Sequence, residues 1–131
     1  MTQKLKHQES KEFRTSHWDF YDHGIIMIRL KPDASIELED AVTEYNYIKE
    51  RHEYLPMKLI IIPGDGSTAS KEVRDYSNSP ERRSIVNAQA YVVKSLAHKL
   101  IVNFMKTFYK TPMKFKVFSE ESEAIDWLMK Q

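Results

Sequence analysis

The loop at residues 64–70 carries the residue types best suited to binding an anion or accepting a phosphoryl group. It follows an apolar run and reads Gly-Asp-Gly-Ser-Thr-Ala-Ser. Glycines free the backbone to turn its amides outward, and the N-terminus of a helix just beyond the loop would favour negative charge. A phosphate on Ser67 or Ser70 would add a charge of about −1.5 to −2. The candidate anion-binding or phosphoacceptor residues are Gly64, Asp65, Gly66, Ser67, Thr68 and Ser70.

The same loop has a purely structural interpretation. It lacks the Gly-Lys-Ser/Thr ending of a P-loop. A strand-to-helix turn in which a hydroxyl caps the helix would use the same residue types. Both interpretations are open at the level of sequence.

Histidines and carboxylates also lie close together at His17, Asp19, Asp22 and His23, which raises the idea of a metal site. Side chains alternate faces along a strand, so His17 and Asp19 share a face that the turn residues need not share. Exposed polar groups of a hairpin are the simpler interpretation. The other histidines are scattered, the chain has no cysteine, and spacing alone assembles no Ser-His-acid triad. We predict no metal, no cofactor and no enzymatic activity.

Apolar side chains on the predicted helices offer a third kind of site. A small ligand could lie between sheet and helices, and the same side chains could equally fill a solid core, which is the more common fate of an apolar helix face. The candidate pocket-lining residues are Tyr76, Phe104, Phe108 and Trp127.

An α/β fold is predicted by the elements that would position these residues. The last third of the chain reads strand (residues 90–93), helix (96–108), strand (115–118) and helix (119–128). Asp22-His23-Gly24 predicts a hairpin between two antiparallel strands. The apolar run 57–62 is typical of a central strand. The inferred order is ββαβαβαβα, with one or two short helices in the middle.

Local signals place the helix starts. Ser35 is the predicted cap of a helix whose inner face includes Leu38 and Ile48. Ser79-Pro80-Glu81 predicts the N-cap, first position and first-turn acid of another helix. Residues 1–11 are polar and are predicted to form a frayed tail, followed by a single domain over residues 12–131.

Charge and composition exclude some functions. Twenty basic and nineteen acidic residues give a net charge of +1, so the whole molecule does not favour nucleic acid. Residues 94–118 hold six lysines and no acid, but the aromatic side chains there fall on the predicted buried stripe rather than among the lysines. The aliphatic runs are far shorter than the roughly 20 residues that span a bilayer, and no signal-peptide core opens the chain. We therefore expect no nucleic acid partner, no membrane insertion and a cytoplasmic location.

The pattern resembles the STAS, or anti-sigma-factor-antagonist-like, superfamily, in particular its small bacterial stand-alone members. The resemblance is carried by Gly24-Ile25-Ile26, the predicted helix at 36–48, the strand at 59–62, and residues 90–95 and 116–128. It implies a mostly parallel five-stranded sheet with an antiparallel N-terminal hairpin strand and helices packed on it. Phosphorylatable members carry a serine in an Asp-Ser-x-Gly-like motif after the third strand. The loop at 64–70 supplies hydroxyls without that motif.

Two functions follow from the resemblance. The favoured one is a non-catalytic regulatory or protein-interaction module, with an unidentified protein partner, a homodimer as one arrangement, and the loop at 64–70 on the contact surface. The alternative is a binder of a small apolar or anionic ligand between sheet and helices, because the superfamily is loosely similar to lipid-binding domains of the CRAL-TRIO type.

Overall fold

A six-stranded sheet organises the molecule. The structure is a computed structural model that describes residues 5–100 and 114–131. Its strands pair across the sheet in the order β1 (His7–Glu12), β2 (Ser16–Tyr21), β3 (Ile25–Leu30), β5 (Met57–Ile62), β7 (Val86–Val92) and β8 (Lys114–Phe118). A separate parallel pair joins β4 (Ser35–Ile36) to β6 (Thr68–Ala69).

The predicted fold class is confirmed. Strands β1, β2 and β3 pair antiparallel, whereas β3, β5, β7 and β8 pair parallel. A short 3-10 turn, Asp22–Gly24, joins β2 to β3 at the predicted hairpin. His23 and Gly24 have positive φ angles of 63° and 71° in this turn. Gly24 suits its position because glycine enters this region freely.

Strand β1 is the main difference from the predicted sheet. The predicted frayed tail at residues 1–11 overlaps His7–Glu12, which instead pair with β2 along its length. The strand is almost entirely exposed, so it has no apolar pattern to reveal it. Backbone pairing holds it, together with an ion pair of 3.0 Å between Arg51 Nε and Glu9 Oε1. Charged side chains on an edge strand also discourage pairing with another chain.

The helices lie on both faces of the sheet. They are α1 (Leu38–Lys49), α2 (Lys71–Ser77), α3 (Pro80–Ile85), the helical residues 96–100, which we call α4, and α5 (Glu121–Leu128). A second 3-10 turn covers His52–Tyr54. Among the described residues, no helix has the length and apolar character needed to cross a membrane.

Side-chain alternation divides the core into two layers. On one face Trp18, Ile26, Ile28 and Leu59 pack with Ile48 of α1. On the other face a second layer packs against α5, and its buried members are Ile25, Met27, Ile60, Ala88, Ala90, Val92, Ala124 and Leu128. Adjacent residues of β3 thus enter opposite layers, as the two-residue period of a strand requires.

The helix starts agree with the sequence at α3 and differ at α1. Ser79 caps α3, where its Oγ accepts a hydrogen bond of 3.3 Å from Arg82 N. The predicted cap of α1, Ser35, lies instead in β4. Glu37 is the N-cap and forms a capping box with Asp40, whose Oδ2 accepts from Glu37 N at 2.9 Å. The β4–β6 pairing keeps residues 35 and 36 extended, so the helix begins later.

Candidate functional site

The loop at 64–70 is docked on the segment that follows β3. Asp33 N donates to Asp65 O at 2.7 Å, and Thr68 N donates to Ala34 O at 2.8 Å. A Cβ atom on Gly64 would lie 2.4 Å from Leu30 O, so only glycine fits this approach. These contacts occupy backbone groups that the sequence offers to an anion.

The three hydroxyls of this loop have different surroundings. Ser67 is buried, with 7 % of its surface exposed. Ser70 is exposed and caps α2, where its Oγ accepts from Val73 N at 3.2 Å. Thr68 is exposed in β6. Phosphorylation of Ser67 would require the loop to open, and the phosphoacceptor role of Thr68 and Ser70 stays a prediction.

Removing the Ser70 hydroxyl should separate the capping role from any binding role. We expect Ser70→Ala to lower the free energy of unfolding by about 1 kcal/mol, because an N-cap hydrogen bond is lost. Thr68→Ala, two residues away on an exposed side chain, is the matched control and should change stability less. Urea denaturation of both variants measures the difference. Equal stability of the Ser70→Ala variant and the parent would contradict the capping role.

A cavity of about 570 Å³ lies between the sheet and helices α1 and α2. Its wall includes part of the loop, namely Ser67, Thr68 and Ala69. Most of the remaining wall is apolar and comes from both strands and helices. The apolar side chains are those of Trp18, Ile28, Leu30, Ile36, Ala41, Ile61, Pro63, Val73 and Leu100.

Glu44 is the carboxylate of this wall. It lies one turn along α1 from Ala41 and accepts a hydrogen bond of 2.9 Å from Ser16 Oγ. Ser16 Oγ in turn accepts one of 2.9 Å from Trp18 Nε1, which links the cavity wall to β2. Burial raises the pKa of Glu44 to about 7, with the Ser16 hydrogen bond opposing the shift. The group therefore changes charge near neutral pH.

Arg82 faces Glu44 from α3. Its Nη1 is buried and has no hydrogen-bond partner. Burial lowers the pKa of Arg82, and the nearby Glu44 carboxyl opposes this shift. Tyr91 of β7 completes the set, and burial raises its pKa to about 12. The remaining polar wall residues are Arg74, Ser77 and His98.

The sequence prediction of pocket residues is not matched by this cavity. Tyr76 packs edge-on against Tyr45, with ring centroids 6.1 Å apart, and does not line the wall. Trp127 lies on the opposite face of the sheet, where its ring is 5.8 Å from Phe118. Phe104 and Phe108 lie outside the described residues. The apolar stripe alone could not show which sheet face would have room.

Sequence reasoning also missed Glu44 and Arg82. A signal for Glu44 was present, because it falls at the helical spacing of Ala41 and Ile48, both buried on the inner face of α1. A carboxylate on that face needs a partner or a raised pKa. Arg82 had no comparable signal, since α3 is short and its burial depends on β7.

The polar groups near the hairpin form ion pairs. His17 and Asp19 share a face, as predicted, with Nε2 and Oδ2 3.4 Å apart. Asp22 lies in the 3-10 turn after β2, where its Oδ1 accepts a hydrogen bond of 2.9 Å from Lys6 N. Within residues 5–100 and 114–131, no group of three or more such side chains could hold a metal ion. Within the sheet, His7 and His17 each lie within ion-pair distance of Asp19.

Comparisons with known proteins agree on fold and leave function open. Residues 20–131 match a family model described as "Domain of unknown function (DUF7793)". No curated protein matches the chain. A crystal structure of an uncharacterized DUF3478-family protein from Shewanella loihica PV-4, described as having a SpoIIAA-like fold, superposes with a TM-score of 0.58 at 12% identity over 98% of both chains. At this identity the likeness shows the fold alone, and it supports the predicted STAS-like architecture.

Proposed function

The chain belongs to the DUF7793 family, and we propose that it is a non-catalytic STAS-like module that binds a small ligand in the cavity between the sheet and helices α1 and α2. The cavity is the observation that supports this proposal most directly. Its volume of about 570 Å³ lies within the range of roughly 300–1,000 Å³ that is usual for ligand sites. An apolar wall with a few convergent polar groups is the usual composition of such sites.

The packing of the fold supports this proposal over a filled core. Protein interiors leave few voids larger than a water molecule, since a void forfeits dispersion contacts along its whole lining. The layer on the other face of the sheet follows this rule, with Ala124 and Leu128 fully buried against β7. A bound ligand would replace the water that otherwise contacts the apolar wall of this open cavity.

Protein contact through the loop at 64–70 is the second candidate. It is favoured by one observation: Thr68 is exposed and also lines the cavity. Occupancy of the cavity would therefore act on a residue that a partner could touch. A protein partner and a homodimer both stay predictions.

Filling the cavity should abolish binding without unfolding the protein. We expect Ala41→Leu to weaken binding of the dye anilinonaphthalene sulfonate about tenfold or more, equivalent to about 1.4 kcal/mol. The melting temperature should stay the same or rise, because filling a cavity commonly stabilises a protein. Fluorescence titration and thermal unfolding provide the two readouts.

Val42→Leu is the control for this experiment. It also introduces a leucine into α1, one position along the helix, at a residue that is 36% exposed and does not line the cavity. It should leave dye affinity unchanged. Equal affinity of the Ala41→Leu variant and the parent would contradict a ligand site in this cavity.

A further inference from the structure

Arg82 is the cavity residue whose surroundings are incomplete. Its Nη1 is buried without a hydrogen-bond partner, although the great majority of buried polar atoms in proteins have one. Within the described part of the chain Arg82 forms no ion pair. A half-buried guanidinium that forms no ion pair leaves part of its desolvation cost uncompensated. An acceptor supplied from outside the chain would remove that cost.

Arg82 lines the cavity from α3. Pro80 begins the helix and Ser79 caps it, with the Arg82 amide as the hydrogen-bond donor. The backbone amide of Arg82 is thus satisfied, whereas its Nη1 has no partner. Arg74, the other arginine of the wall, differs because its Nη1 donates to Ala69 O at 2.6 Å. Arg82 is therefore the wall arginine with a buried guanidinium nitrogen that lacks a hydrogen-bond partner.

We propose that the ligand is an amphiphile with a single carboxylate head group, which binds the Arg82 guanidinium while an apolar body lies against Trp18, Ile28 and Ile36. This inference rests on the proposed function. An oxyanion fits because charge-assisted bonds to guanidinium are the strong ones, and a planar carboxylate matches its geometry. A single negative charge fits better than a phosphate dianion because Glu44, which ionises near neutral pH, lines the same wall.

Glu44 should make the binding depend on pH. When protonated, it can donate a hydrogen bond to a carboxylate, and when ionised it repels one. The ionisable groups that act on it are Arg82 from α3 and Asp40 from its own helix. Arg74, Tyr91 and His98 line the same wall from α2, β7 and α4. Affinity for a carboxylate should therefore fall as pH rises above about 7, where Glu44 ionises.

The test compares three probes of equal chain length: decanoate, decanol and decylamine, each used as a monomer in solution. Isothermal titration at pH 6 should give the lowest dissociation constant for decanoate. Arg82→Met keeps an unbranched side chain and removes the charge, so the variant should fold and bind decanoate at least tenfold more weakly. Its affinity for decanol should be unchanged. Decanoate affinity of the parent should also fall between pH 6 and pH 8.

Arg83→Met is the matched control. It removes an arginine one position along α3 that does not line the cavity, and it should leave decanoate affinity unchanged. Decanol binding as tightly as decanoate, or an Arg82→Met variant with parental decanoate affinity, would overturn the carboxylate inference while leaving a ligand site in place. Failure of every amphiphile and of the dye to bind would overturn the proposed function itself.

Discussion

Replacing Glu44 by glutamine should raise the free energy of unfolding at pH 8 by up to about 3 kcal/mol, since each unit of pKa shift corresponds to about 1.4 kcal/mol. Burial raises the pKa of this carboxyl from the ordinary 4.5 to about 7 in the folded protein. Ionising it at pH 8 therefore opposes folding. The glutamine oxygen can still accept the hydrogen bond from Ser16 Oγ, so the neutral interactions are retained.

The sign of this effect can be followed through the pH range. Below about pH 4.5 the carboxyl is protonated in both states, and the parent and the variant should be equally stable. Between about pH 4.5 and 7 the folded state holds a proton that the unfolded state has released, so stability of the parent falls as pH rises. Above pH 7 the difference should level off. Urea denaturation at pH 4.5 and at pH 8 measures both ends.

Glu39→Gln is the control for this substitution. Glu39 lies in the first turn of the same helix and is exposed, so the variant should differ from the parent by a few tenths of a kcal/mol at either pH. A Glu44→Gln variant whose stability parallels that of the parent at all pH values would show that Glu44 titrates as an ordinary surface carboxylate.

Gly64→Ala should destabilise the protein by about 2–3 kcal/mol, as is typical of overpacking at a site that cannot relax. The added Cβ would lie 2.4 Å from Leu30 O and 2.6 Å from Lys31 O. Both obstacles are backbone atoms at the end of a central strand, so they cannot turn away as a side chain can. The loop should lift from residues 31–36, and dye affinity should fall with stability because the loop forms part of the cavity wall.

Gly66→Asn tests whether any glycine of the loop would behave in this way. Gly66 has a φ angle of +74°, and an added Cβ would meet the end of the Asp33 side chain, which is exposed and can move. Asparagine tolerates positive φ better than most residues. The loss should therefore be smaller, about 1 kcal/mol or less. Equal losses from the two substitutions, measured by urea denaturation, would contradict the packing argument for Gly64.

The sequence predicted those parts of the fold that depend on neighbours along the chain. The Asp22–Gly24 hairpin, the strand Met57–Ile62 and the Ser79 cap all have local signals, and the structure confirms each one. Strand β1 has no such signal, because backbone pairing stabilises it while its side chains stay in water. The start of α1 was misplaced because the pairing of β4 with β6 depends on a loop more than thirty residues away.

The cavity was less predictable than the fold for a related reason. Its polar wall combines Glu44 of α1, Arg82 of α3 and Tyr91 of β7, and no spacing in the sequence brings these three together. The loop at 64–70 has the glycines and hydroxyls expected of an anion site. In the structure, Gly64 serves close packing and Ser70 serves helix capping.

The sheet also separates the two tryptophans of the chain. Trp18 lines the cavity and donates its indole proton to Ser16 Oγ, which in turn donates to Glu44. Trp127 belongs to the layer on the other face. The protein thus contains one indole at the candidate site and a second one on the far side of the sheet, which can serve as an internal reference. A ligand in the cavity, or a change in the charge of Glu44, would alter the emission of Trp18 before that of Trp127.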